Sequence, residues 1–145
     1  MNAHIISSEN DVVTMQVQVK LTNSMLQTEE NIQVALNETG NIFTSEALKY
    51  FDTDGSAITM GSIKFTSKGP ISKEYQTPFG AIVVERHVYQ TSEGGKTYCP
   101  LEKDAHIILA STRRFAKMIS CIYSRLGAPH VCKDFEENHK RKVVL

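Results

Sequence analysis

Five side chains with metal-binding chemistry, Cys99, Cys121, Cys132, His130 and His139, fall in the last third of the chain. Structural zinc is held by ligands that come as close pairs such as Cys-x2-Cys, and the nearest approach here is His130-x-Cys132. Packing explains these residues better, so no metal and no other cofactor is expected. The segment FDTDGSAI (51–58) resembles a calcium loop in part. With Gly55 at its sixth position, Asp52 and Asp54 become the third and fifth, but the first is Tyr50 and the twelfth Gly61. Both anchoring carboxylates are missing, and Asx-turn chemistry accounts for the two aspartates. Gly95-Lys96-Thr97 matches the end of a phosphate-binding loop, but the loop's first glycine would be Gln90, and Tyr98-Cys99-Pro100 follows instead of a helix. His87 and Tyr89 share one face of a predicted strand and read as half-buried packing groups. No Ser/His/Asp triad can be singled out, since a triad has no spacing of its own.

The remaining chemistry is positive charge. The chain has 16 Lys plus Arg and 16 Asp plus Glu, for a net charge of zero. The charges are segregated. Arg113, Arg114, Lys117, Arg125, Lys133, Lys140, Arg141 and Lys142 stand after Thr112 with only Asp134, Glu136 and Glu137 among them, so the end of the chain carries +5 and the rest −5. Such asymmetry points to an anionic partner, most often nucleic acid, although solvated helix faces also collect lysines.

These cations must be positioned by the elements after Pro100. Thr112 can cap a helix with Phe115, Ile119, Ile122 and Leu126 in one apolar stripe and Arg113, Arg114, Lys117 and Arg125 off it. Gly127 reads as its C′ residue, Pro129 as the first position of the next helix, and Val131, Cys132 and Phe135 as a second stripe ending near His139. Helix, short glycine-containing turn, helix, then Lys-Arg-Lys is the layout of a helix-turn-helix, with an ordinary αα-hairpin as the alternative. In a helix-turn-helix the second helix would aim His130 and Lys133 at base edges. Arg113, Arg114, Lys117, Arg125 and Lys140 to Lys142 would hold phosphates.

The preceding part reads as antiparallel strands with two helices. Val13 to Leu21 alternates as a half-buried strand. A helix capped near Thr22 to Ser24 runs to about Asn37 and closes at Gly40, and a shorter one runs from Thr44 to Tyr50 with Ala47 and Leu48 inward. Ala57 to Phe65 is a strand with Gly61 as a bulge or bend, and SKGPISKE (67–74) a loop. Thr77-Pro78-Phe79-Gly80 suits a type I turn, after which Ala81 to Gln90 forms a long strand that turns at Ser92 to Gly95 and returns as Lys96 to Cys99. The expected fold is α+β, with an acidic part over 1–102 and a basic helical part over 103–145.

At 145 residues, 41% apolar and 22% charged, the chain has ordinary soluble composition, and no run approaches the roughly 18 apolar residues of a membrane span. The first residues lack a signal peptide's basic start and apolar run, and three separated cysteines read as reduced thiols. A cytoplasmic protein without membrane contact is expected.

ALNETGNIFTSEALKYFDTDGSAI, SKEYQTPFGAIVVERHVYQTSEGGKTYCPLE, RFAKMIS and DFEENHKRKV together resemble the N-terminal region of bacterial insertion-sequence transposases of the ISKra group, from about residue 11 to the end. HVYQTSEGGKTYCPLE is the most specific piece. In that family these segments precede a ribonuclease H-like domain in which three acidic residues hold divalent metal for strand cleavage and joining. This chain departs by ending at Leu145 and by carrying Arg113-Arg114 where Thr-Pro is usual. The resemblance therefore implies a truncated transposase. It would bind double-stranded DNA at the ends of a mobile element and lack the catalytic domain, so that it is not itself an enzyme. The alternative is a protein-interaction module or regulator that pairs with a full-length transposase, or with itself as a homo-oligomer.

Overall fold

A computed structural model describes residues 2–91 and 93–144, and the chain is α+β. Its elements are β1 (Ala3–Glu9), β2 (Val12–Val17), α1 (Met25–Lys49), β3 (Ile58–Met60), β4 (Ile63–Thr77), β5 (Gly80–Thr91), α2 (Pro100–Asp104), α3 (Arg113–Tyr123) and α4 (Ala128–His139). β1 and β2 form one antiparallel sheet, and β3-β4-β5, in that order, the other.

The first departure from the sequence reading is a hairpin where one strand was expected. β2 stops at Val17, and β1 precedes it across Asn10-Asp11, both with positive φ (52° and 62°). Two successive left-handed residues make the primed turn that matches strand twist, and Asn and Asp tolerate that geometry. The serines of β1 conceal the strand in the sequence.

The two expected helices are one. Ser24 Oγ caps α1 by accepting from the Gln27 amide at 3.2 Å, and the helix then runs 25 residues through Gly40. Thr44, which suggested a new helix start, instead donates its hydroxyl to the carbonyl of Gly40 (2.7 Å), as Thr39 does to that of Ala35 (2.8 Å), both bonding back into the helix. Leu48 faces inward as expected, whereas Ala47 is exposed. Gly40 is present for packing. A Cβ there would lie 2.3 Å from Cγ of Phe79, so the ring of the β4–β5 turn sits in a notch on the helix. Intrinsic propensity favours Ala over Gly by about 1 kcal/mol, but Gly40→Ala is expected to destabilise the protein by about 1–3 kcal/mol because Phe79 has to move. Urea denaturation decides, and a more stable variant would mean that the ring does not occupy the notch.

The main hairpin is β4–β5, one strand earlier than the sequence suggested. SKGPISKE is strand, and its Gly and Pro mark a register shift between Ser67 and Pro70, where Gly69 takes φ 93° and Pro70 escapes the need to donate. Thr77-Pro78-Phe79-Gly80 closes this hairpin. Thr77 Oγ1 accepts from the amides of Phe79 (3.0 Å) and Gly80 (3.2 Å) and donates to Asn41 Oδ1 at 2.7 Å, tying the turn to α1. Likewise Gly61, expected as a bulge, is the turn between β3 and β4, with Met60 opposite Ile63. The returning segment Lys96 to Cys99 contributes only a bridge between Tyr98 and Tyr89, and Ser92 of the expected turn lies outside the described residues. β5 alternates cleanly, burying Ile82, Val84 and Arg86 while exposing Val83 and Glu85. Leu48, Tyr75, Ile82, Val84 and Leu101 form the core beneath it.

After Pro100, which opens α2, the chain crosses β4 once. The Gln76 amide donates to Ala110 O (2.8 Å) and Gln76 O accepts from the Thr112 amide (2.9 Å). This clamp fixes where α3 begins. Gly127 is not a left-handed C′ residue of α3. Its φ is −71° and it is the N-cap of α4, while the left-handed cap falls at Lys140 (φ 53°).

Candidate functional site

The helical pair has a core of its own. Phe115, Val131 and Phe135 are buried, the two rings meet edge to face at 5.6 Å, and Met118, Ile119, Ile122 and Val143 pack around them. With this stripe turned inward, helical spacing forces Arg114, Lys117, Cys121 and, just past the end of α3, Arg125 onto the outer face at i, i+3, i+7 and i+11. All four are exposed, as is Arg113 beside them. Arg113–Tyr123 holds three cations and no acid. Its first two positions are arginines, at the positive end of the helix dipole, where cations are disfavoured by about 0.3–1 kcal/mol each. Local helix stability therefore does not explain them.

α4 is divided. Its early residues His130 and Lys133 are exposed, but so are Glu136 and Glu137 in its later turns, and Glu137 stands 3.9 Å from Lys133. An anionic partner would therefore meet α3 and the start of α4.

Lys140, Arg141 and Lys142 do not act as a group. Lys140 Nζ pairs with Glu30 Oε2 of α1 at 2.8 Å. Arg141 is buried, with its guanidinium 4.3 Å from the Phe115 ring centre, 5.8 Å from that of Phe135, and Nη2 donating to Gln76 Oε1 at 2.7 Å. Burial depresses its pKa, and Nε and Nη1 have no hydrogen-bond partner among the described residues. Its compensation comes from the rings. Lys140 stays exposed while it makes its pair with Glu30, and Lys142, exposed and in no ion pair among the described residues, lies beside a largely apolar groove of about 940 Å³ between α3, Ile108–Leu109 and the tail. The expectation that all three hold phosphates is therefore corrected. The left-handed turn at Lys140 sends each side chain a different way, and Arg141 belongs to the core. Sequence reasoning missed their partners, Glu30 and Gln76, because neither carries a local motif.

Other reactive groups have structural employment. Asp54 accepts from the Ser56 amide at 2.9 Å in an Asx turn. Asp52 accepts from the His87 amide and lies against its Nδ1, both at 3.1 Å. Tyr89 is buried with its hydroxyl on Thr53 (2.6 Å) and Ser56 O (2.9 Å). Burial pushes the Cys99 thiol up, away from a reactive thiolate. Among the described residues no three His, Cys, Asp or Glu side chains are placed to hold a metal ion.

A polar knot ties β4, β5 and α2. Arg86 Nε donates to the Tyr75 hydroxyl (2.8 Å), which donates to Glu102 (2.7 Å), and Lys73 reaches the same carboxylate at 2.7 Å. Burial raises the Glu102 pKa, but the hydrogen bonds from Lys73 and Tyr75 and the charges of Lys73 and Arg86 outweigh it and hold the group below its ordinary value. A carboxyl depressed in the folded state stabilises above its unfolded pKa, about 4.3, and loses that contribution as pH falls through the lower folded value. Glu102→Gln should therefore be less stable than wild type at neutral pH and show a flatter loss of stability below about pH 4. Thermal melts across that range check it.

No helix among the described residues is long and apolar enough to cross a membrane. No protein-family profile, curated protein or solved structure gives a significant match to the chain.

Proposed function

We propose that this chain is a DNA-contacting N-terminal portion of an insertion-sequence transposase, recognising the ends of a mobile element. The observation that carries the DNA contact is the acid-free outer face of α3, where Arg113, Arg114, Lys117 and Arg125 are exposed while Phe115 on the other side is buried and Met118, Ile119 and Ile122 are partly so. Cations in one row along about 17 Å of helix can follow a phosphate backbone, and the helix N-terminus adds unpaired amides that favour anions. His130 and Lys133, exposed at the start of α4, are the side chains left for base edges. The transposase assignment rests on the sequence resemblance.

The test is an electrophoretic shift with the element's terminal inverted repeats against a random duplex. The proposal expects a preference for the repeats at moderate salt, and equal weak binding would reduce it to a generic basic patch. Pairing with a full-length transposase is the second reading, favoured by the uncovered apolar side chains of α1. Co-purification in high salt without DNA would support that reading.

A further inference from the structure

α1 uses two faces inside the chain and leaves a third uncovered. Thr28 and Ala35 are buried in its first half, the helix packs on β1, β2 and β5, and Leu48 near its end is buried in the core under β5. Between these faces Met25, Glu29, Ile32, Leu36, Thr39, Phe43 and Ala47 follow one another at spacings of 4, 3, 4, 3, 4 and 4. From Met25 to Thr39 that is the 3.5-residue period of a helix seam that packs against another helix, with Glu29 and Thr39 as the polar positions that set register, and Phe43 and Ala47 continue the same stripe at the helix's own repeat. The apolar members are exposed, Leu36 by 55% and Met25 by 66%. Phe79, seated on Gly40 one turn from both Leu36 and Phe43, extends the patch and is itself partly exposed.

We propose that α1 is a dimerisation element, packing antiparallel on α1 of a second copy of this chain. Three observations choose that occupant. The chain exposes 9613 Å², against about 7,500 Å² for a compact monomer of 16.2 kDa. The surplus of roughly 2,100 Å² exceeds the ~800 Å² per partner of a stable interface. The seam spans 23 residues, about 33 Å of helix, whereas α3 and α4 have only 11 and 12 residues, so among the described elements α1 alone matches its length and period. Finally, parallel pairing would set Glu29 against its own copy and align the dipoles, and antiparallel pairing separates the two carboxylates and opposes the dipoles. The inference does not depend on DNA binding.

The test is the mass of the full nuclease-treated chain at micromolar concentration in high salt, by sedimentation equilibrium. Wild type is expected at twice 16.2 kDa. Leu36→Glu should weaken the dimer at least about tenfold, since buried interface anchors cost that much or more, with unchanged circular dichroism. Val12→Glu, exposed on the β1–β2 hairpin, should leave the dimer intact. If Leu36→Glu loses its helical spectrum, Leu36→Ser and Phe43→Ser take its place with the same expected weakening. A wild-type mass of 16.2 kDa overturns the proposal even if the chain captures a full-length transposase, and so does a dimer indifferent to all three seam substitutions.

Discussion

Arg114, Lys117 and Arg125 changed together to Ala should flatten the dependence of log affinity on log salt by about 2.7, close to 0.9 for each phosphate contact removed. The three side chains are exposed on one row of α3, and no ion pair ties any of them among the described residues. Their removal leaves Phe115, Ile119 and Ile122 in place. Stability should therefore change by less than about 0.5 kcal/mol, as at other surface positions. The loss should be uniform across sequences, because phosphate contacts carry no base information. Titrations of wild type and variant at several salt concentrations check the slope. A slope unchanged by the substitutions would return α3 to an ordinary solvated helix and leave the two helices as a packing hairpin.

Phe135→Ala has the largest expected effect on folding, about 3–5 kcal/mol. Its ring is fully buried, meets Phe115 edge to face at 5.6 Å, lies 5.1 Å from the His139 ring and forms one wall around the Arg141 guanidinium. Truncation removes the contact between α3 and α4 and leaves a buried cation beside a cavity. Against a total of 5–15 kcal/mol for a typical domain, that is a large fraction. Two outcomes are distinguishable by urea denaturation followed separately by far-ultraviolet circular dichroism and DNA affinity. Loss of the helical pair alone removes binding while the β4–β5 signal survives. A stability change below about 1 kcal/mol would mean that the pair is not held by this core.

Replacing Lys140, Arg141 and Lys142 together no longer reads phosphate contact. One of them packs on Phe115 and another pairs with Glu30, so the variant reports on stability.

What was legible in the sequence was local pattern. The stripe of Phe115, Ile119 and Ile122 follows from side-chain spacing, β5 from its turn signals and strand-forming residues, and the helical switch at Pro100 from proline's missing donor, and all three are present. What was hidden was decided by partners far along the chain. Gly40 signals a helix end unless Phe79 is known to need the notch, and Gly69-Pro70 signals a loop unless β5 is known to run past it. The basic site was legible as a set of residues and not as a surface. Nothing in Lys-Arg-Lys distinguishes the exposed Lys142 from the buried Arg141 or the paired Lys140, because Arg141 is held by Gln76 and Lys140 by Glu30, both remote in sequence.

Cys121 provides the most direct check of the DNA contact, because it lies on the proposed surface without having been put there. Its side chain is exposed on α3 between Lys117 and Arg125, whereas Cys99 and Cys132 are half-buried. The measurement is the rate of maleimide alkylation at Cys121, resolved by peptide mass spectrometry, with and without saturating duplex at low salt. A duplex held along α3 covers the thiol, and the rate should fall severalfold while those at Cys99 and Cys132 stay constant. An unchanged rate at Cys121 under saturating duplex would contradict the account, whatever the affinity measured by other means.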